Sequence, residues 1–537
     1  MAPDTGCRRL ADLVPRLAEL PDAAILHLAG TELVRTPFPE LGADVRRAQK
    51  RLTDAQVEPG TRVGIWGGNS YEWVVYELAL LDLGCVTVTL PLAEFAGGSA
   101  AELADRYRLE LLLADPDRCA EPAGWLVPLA LDWPGDREIR LRPRPAGLDP
   151  DVFSIVFSSG TTGAVKAIQI SRAATEDCLA EFADHYRFSA DDRILVALPL
   201  STFQQRIMLY CAIWYGFDAV VVDPSPLMLV VMRQARPTIM GGPPAFYELL
   251  ENRFGSLSAP KKALLRLLSR LIRSVLPAGL AQRALRLVFR QAHEAYGGRM
   301  RLMLSGSAPL RRSTAAVFAM VGLPLFQLYG LTESGFIAWN RPGANRIGSV
   351  GRPVFKGSVT IAGDGEVLVR WPRPQSPGYL GEPPEVERAT YRGDGVIATG
   401  DLGRFDDDGF LYLIGRKKDV IITRAGYKIA PSPIEQRILT DTAADQAVLI
   451  GGGDLDYVGV VIALRAHADE DAADRIDKHI EQINAGLPEA SRILRVLFTR
   501  EAFTRENGLM TTTLKINRNA VAQRYRPALD RGERWSR

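Results

Sequence analysis

Residues Arg62 to Leu90 read RVGIWGGNSYEWVVYELALLDLGCVTVTL. A short apolar segment leads through a Gly-Gly-Asn turn into a stretch with helical spacing, and a β-branched run closes it, which predicts strand, helix, strand. The alternation returns at Ser154 to Phe157, Ile194 to Leu198, Ala219 to Val222, Thr238 to Met240 and Arg301 to Leu304, with helical patterns between. Short strands separated by helices imply parallel sheets, so the expected class is α/β. From Val350 the texture changes to AGDGEVLVRW and ATGDLGRFDDDGFLYLIGR, short β-like segments with glycine and acidic turns that predict hairpins. After Gly415 comes a charged RKKD, and the residues beyond it hold enough strand and helix pattern for a small α+β domain. The expected organisation is a large body over 1–415, with mostly parallel sheets and a small β-rich section, and a small mobile domain over 416–537.

At 537 residues the chain can bury more than one core. Apolar residues at 47% and charged residues at 24% exclude wholesale disorder, collagen and coiled coil. Sixty-five Lys and Arg against 63 Asp and Glu leave a net charge of +2, which argues against nucleic acid as a partner. Cys7, Cys85, Cys119, Cys178 and Cys211 form no CxxC or Cys/His metal spacing, so neither a disulfide scaffold nor a zinc site is expected, and a reducing cytoplasm is. The start MAPDTGCRRLADLV lacks the form of a secretory signal, and no apolar run reaches the ~18 residues of a spanning helix.

Residues 261–290, KKALLRLLSRLIRSVLPAGLAQRALRLVFR, hold eight Lys or Arg and no acid, with Leu264, Leu268, Leu271 and Val275 at helical spacing. The favoured reading is a core-packed pair of helices broken at Pro277 with solvated arginines; contact with anionic lipid or another partner is the alternative.

The strongest local signal is Phe157 to Lys166, FSSGTTGAVK, following an apolar strand. Its glycines allow tight turns, its hydroxyls and N–H groups can donate to phosphate oxygens, and Lys166 adds positive charge, so the loop fits a triphosphate. It is not the GxxxxGK[ST] loop, because Lys166 follows Gly163 by three positions. On its own such a run also reads as a Ser/Gly surface loop.

SSGTTGAVK resembles the phosphate loop of the adenylate-forming superfamily, which includes acyl-CoA synthetases, adenylation domains and luciferases. LSGSAPL (Leu304 to Leu310), YGLTES (Tyr329 to Ser334), TGDLG (Thr399 to Gly403), GRKKDVIITRAGYKIAPSPIE (Gly415 to Glu435) and LKINR (Leu514 to Arg518) resemble further motifs of that superfamily, in its order. The resemblance spans nearly the whole chain and implies ATP- and Mg²⁺-dependent activation of a carboxylic acid to an acyl-adenylate, with transfer to coenzyme A. It assigns Ser158, Ser159, Gly160, Thr161, Thr162, Gly163 and Lys166 to ATP, chiefly its phosphates, and Ser307, Ala308 and Pro309 to the adenine side. Tyr329 would stack on adenine, Thr332 would contact the α-phosphate, Glu333 and Thr161 would hold Mg²⁺, and Asp401 and Arg416 would grip the ribose. Lys515 would reach in from the second domain to the reacting carboxylate and phosphate, and Lys418 would be the hinge. Thr202, Phe203, Gly241, Pro243 and Gly330 would border the acyl pocket.

Two departures stand out. The Pro-Lys-Gly common after the phosphate loop is Val165-Lys166-Ala167 here, which keeps the charge. LPLSTFQQR (Leu198 to Arg206) resembles the LPLxHxFxR stretch of long-chain acyl-CoA synthetases but carries Thr202 where histidine is common. The smaller side chain implies room for a hydrophobic, even bulky, acid; helix-core packing is the other reading of Phe203. TLKINR and ENGLMTT (Glu506 to Thr512) lean toward the long-chain type. Adenylation alone, transfer to a separate carrier protein, a kinase-like phosphotransferase and a degenerate non-catalytic binding subunit are the alternatives.

Overall fold

The computed structural model describes residues 9–119, 123–133, 139–159, 165–223, 228–423, 426–440, 443–452, 455, 457–466, 468–511 and 515–536. Arg62–Trp66, Tyr71–Asp82 and Val86–Thr89 form the expected strand, helix and strand. The two strands pair in parallel within a six-stranded sheet that runs from Leu126–Pro128 to the antiparallel hairpin Val152–Ser159 and Val165–Ser171. A nine-stranded sheet contains the other strands read from sequence: Leu302–Ser305, Ile239–Gly242, Arg193–Val196 and Asp218–Val221 lie side by side in parallel.

Helix Tyr71–Asp82 is buried at every position from Tyr71 to Leu81 except Glu72, and helix Phe203–Tyr215 is buried over most of its circumference. An apolar helix without a polar face belongs in an interior. Both helices share one core cluster with Val63 and Ile65 of the first sheet and Ile194 and Val196 of the second. Each fully buried Leu, Val or Phe there contributes about 1.5–3 kcal/mol. Ser70 fixes the start of the first helix by accepting the Trp73 amide.

Glu77 and Arg206 bring opposite charges into this apolar layer, and both side chains are fully buried. Arg206 Nη1 lies 2.9 Å from Glu77 Oε1 and donates to Ser154 Oγ, while the Tyr210 hydroxyl donates to Glu77. The pair ties helix Phe203–Tyr215 to helix Tyr71–Asp82 and to strand Val152–Ser159.

The hairpins predicted after Val350 form a four-stranded antiparallel sheet of Val359–Ile361, Glu366–Arg370, Val396–Phe405 and Leu411–Arg416. Beyond it, Ala444–Ile450, Val458–Leu464 and Ile493–Thr499 make a three-stranded sheet. Helices Pro431–Ile438 and Ala472–Ala485 pack into one of its apolar clusters and Arg518–Asp530 into another, and both clusters are drawn from residues 421–529.

The basic segment fits its favoured reading in part. It does form two helices, Ala259–Val275 and Ala278–Val288, with Pro277 between them. Yet Leu264, Leu271 and Val275 are exposed, and Ser269 is the one buried residue of the first helix. The core packing expected of that stripe is absent because the face turned to the body is the neighbouring one, carrying Leu265, Ser269 and Ile272.

Candidate active site

Ser158 and Lys166 face each other across the antiparallel hairpin, so the strand pairing brings the lysine back beside the start of the phosphate loop. Gly160, Thr161, Thr162 and Gly163 lie outside the described residues, as does the side chain of Ser159. Lys166 Nζ sits over the Tyr379 ring, 4.6 Å from its centroid, and the Tyr379 hydroxyl donates to Glu333 Oε1 at 3.0 Å. The Ser376 amide donates to the Glu333 carbonyl, and the Tyr391 hydroxyl holds Ser376 in turn. Thr332, beside Glu333, is half-buried.

Asp401 and Arg416 are direct partners across adjacent strands, with Arg416 Nε 2.8 Å from Asp401 Oδ1. The other carboxylate oxygen accepts from the Tyr329 hydroxyl at 2.6 Å. Tyr329 is 8% exposed and packs with Ile337, Val350 and Val367, so its ring lies mainly against protein and its hydroxyl orients Asp401. Burial pushes the Asp401 carboxyl above its ordinary value, opposed by Arg416 and Tyr329.

Thr202, Phe203, Gly241, Gly330 and Ser307 line one cavity together with Ile207, Met208, Leu304, Leu328 and Phe336. Pro243 is buried and directly follows Gly242, which lines the cavity. Phe203 serves both readings, 2% exposed in the core and bordering the cavity. Gly330 is required by space, since a Cβ there would lie 2.5 Å from the Gly335 carbonyl oxygen. Ser307 has φ of +67°, a left-handed conformation that costs a non-glycine residue about 1–2 kcal/mol and fixes the loop that continues through half-buried Ala308 and exposed Pro309.

Lys515 stands where the C-terminal part meets this site, exposed yet flanked closely enough by Arg416, Asp401, Glu333 and Lys418 for their charges to act on it. Partial loss of water, then Arg416, holds its ammonium below the ordinary lysine value, against the pull of Asp401 and Glu333. Its loop is closed by the Thr511 amide donating to the Lys515 carbonyl and the Asn517 amide to the Leu509 carbonyl. Arg518 anchors the loop to Glu435, Nη1 to Oε1 at 2.7 Å, and reaches Asp419 at 3.6 Å. In the short turn Lys417–Asp419, Lys417 is tied to Glu366 of the four-stranded sheet and to Asp364 in the turn before that strand, whereas Lys418 makes no ion pair among the described residues.

Compared with known proteins, residues 16–380, more than half of the chain, match the model of the AMP-binding enzyme family. The chain belongs to that family. Residues 418–532 of this AMP-binding enzyme match the AMP-binding enzyme C-terminal domain. The enzyme is an acid–thiol ligase that activates a carboxylic acid through an acyl-adenylate for transfer to coenzyme A. It is similar to long-chain-fatty-acid–CoA ligase FadD15 of Mycobacterium bovis and of Mycobacterium tuberculosis, each 28% identical over 90% of this chain and 90% of the relative. In fold it resembles ATP-bound MatB from Rhodopseudomonas palustris, with a TM-score of 0.72 and 24% identity over 96% of this chain and 99% of that one. It also resembles o-succinylbenzoate CoA synthetase from Bacillus subtilis in complex with its acyl-adenylate intermediate, with a TM-score of 0.71 and 20% identity over 95% and 97%.

Sequence reading missed Tyr379, Ser376 and Tyr391 around Glu333, and the Glu77–Arg206 pair behind the cavity wall. Tyr379 sits in SPGYLGEPP, which carries no chemical signature. A basic residue within the buried helix was the available signal for Arg206, since a buried charge demands a partner.

Proposed function

We propose that the enzyme activates a hydrophobic carboxylic acid larger than acetate, with the residue roles that follow. The supporting observation is that Asp401 and Glu333 lie near enough to Lys515 for their charges to act on it, while Gly330, close to Glu333 in the chain, lines an apolar cavity. Asp401, as acceptor, and Arg416, as donor, suit the ribose hydroxyls of ATP, with Tyr329 holding Asp401 in place. Lys166 and the loop before it suit the phosphates, and the turn at Ser307 borders the adenine side. Glu333, a carboxylate fixed by Tyr379, suits a hard dication that keeps water and phosphate oxygens as its other ligands, and Mg²⁺ fits that donor set. When bound, the metal would neutralise phosphate charge. Lys515 supplies a preorganised cation where charge grows between carboxylate and α-phosphate, and Thr332 lies beside that point. No protein nucleophile is needed, because the mixed anhydride with AMP already carries a good leaving group.

The apolar cavity walls and the relatives' names favour a fatty acid or an acid of similar hydrophobicity. The body extends over 1–415 and the small domain over 416–537, pivoting at Lys418 so that Lys515 faces the phosphates in one half-reaction and withdraws for the thiol in the other. Free thiols at Cys85, Cys178 and Cys211 support a cytoplasmic location. Pyrophosphate release and thioester formation, followed across short, fatty, aromatic and polycyclic acids with and without coenzyme A, test the reading. The expected result is acid-dependent release favouring hydrophobic acids; release that ignores the acid, or ADP as product, contradicts it.

A further inference from the structure

The helical pair Ala259–Val275 and Ala278–Val288 has no role in this chemistry, yet it holds Leu264, Leu267, Leu271, Val275, Leu280, Leu287 and Val288, seven of the thirteen exposed large apolar residues among the described residues. The pair is not loosely attached. Ser269 Oγ donates to the Met320 carbonyl at 2.7 Å, Leu265 and Ile272 pack on the second core cluster, and Ala281 and Leu285 are buried in the second helix. With that face committed to the body, the exposed side chains form a separate stripe. At 100° per residue, Leu264, Leu267, Leu271 and Val275 fall within about 80° of one another, bordered by Arg270 on one side and Lys261 on the other. On the second helix Leu280, Leu287 and Val288 have Arg283 at their border.

The charge is one-sided as well. No acidic residue occurs between Glu251 and Glu294. Arg273 is held by the Ala319 carbonyl and Arg290 pairs with Glu294, while Lys261, Lys262, Arg270, Arg283 and Arg286 make no ion pair among the described residues. Aliphatic side chains flanked by long cationic ones, whose stems lie along an apolar layer while their heads stay in water, match a surface with anionic headgroups above hydrocarbon. We propose that this helical pair docks the enzyme on anionic lipid, lying in the interface without spanning it; no helix among the described residues is long and apolar enough to cross a membrane.

Flotation of the full chain with vesicles tests this. Binding to phosphatidylcholine vesicles containing about 30% phosphatidylglycerol is expected to exceed binding to pure phosphatidylcholine by at least about tenfold, and to weaken in ~0.5 M salt. Leu267→Glu/Leu271→Glu should abolish it, and Arg270→Glu/Arg283→Glu should remove the preference for anionic lipid. Both variants should keep wild-type thermal unfolding and pyrophosphate release with a water-soluble acid, because the altered side chains are exposed. Absence of vesicle binding, or equal binding to neutral and anionic vesicles, overturns the proposal. So does a wild-type dimer that Leu267→Glu/Leu271→Glu dissolves, since a second copy would then cover the stripe.

Discussion

The Tyr379 hydroxyl donates a 3.0 Å hydrogen bond to Glu333 Oε1, and the same ring carries the Lys166 ammonium on its face. One aromatic side chain thereby spaces the cation assigned to phosphate from the carboxylate assigned to metal. Tyr379→Phe keeps the ring under Lys166 and deletes the bond, so it is expected to raise the Mg²⁺ concentration needed for half-maximal pyrophosphate release by about tenfold, the cost of losing a partner that orients a metal ligand. Glu333→Gln should raise it further. Magnesium titrations that coincide with wild type for both variants would contradict the assignment.

The Glu77–Arg206 pair concerns stability more than chemistry. Glu77→Ala strands a buried guanidinium, an arrangement that costs about 3–5 kcal/mol. Urea unfolding followed by tryptophan fluorescence should show that loss; a change below about 1 kcal/mol would mean that the helix bordering the cavity is held by apolar packing alone.

Thr202, half-buried at the start of that helix, borders the cavity. Thr202→Trp fills space at its wall and should lower kcat/KM for bulky acids by at least about tenfold relative to a short acid, about 1.4 kcal/mol of selective barrier. Equal effects on short and bulky acids would refute the size argument.

Much of this was legible because α/β alternation and glycine-rich turns are local signals. Arg62 to Thr89 folds as its pattern dictates, and the strands at 194, 219, 239 and 302 fall within a residue or two of their expected positions. The stripe at 264–275 misled because helical periodicity reports that apolar residues share a face, not whether protein covers it. Tyr379 was silent because its partner Glu333 is 46 residues away and only the fold joins them. Glu77 was silent because one acid in an apolar helix acquires meaning only with Arg206 opposite.

Lys417 is anchored to Asp364 and Glu366 while its neighbour Lys418 is not, which suits a pivot starting at Lys418. Lys418→Pro fixes φ near −65° and removes an N–H. Single-turnover pyrophosphate release should survive, whereas thioester formation should fall at least about tenfold. Equal loss in both half-reactions would signal misfolding, and loss in neither would reject the pivot.

Lys515, carried by the C-terminal part and sensing the charges of Asp401 and Glu333, is proposed to drive acid activation. The direct measurement compares Lys515→Ala with wild type in single-turnover pyrophosphate release and in thioester formation from a supplied acyl-adenylate. Release is expected to fall by on the order of 10²–10³, the cost of one preorganised donor, while ATP binding and thioester formation change far less. Wild-type pyrophosphate release from Lys515→Ala would contradict it.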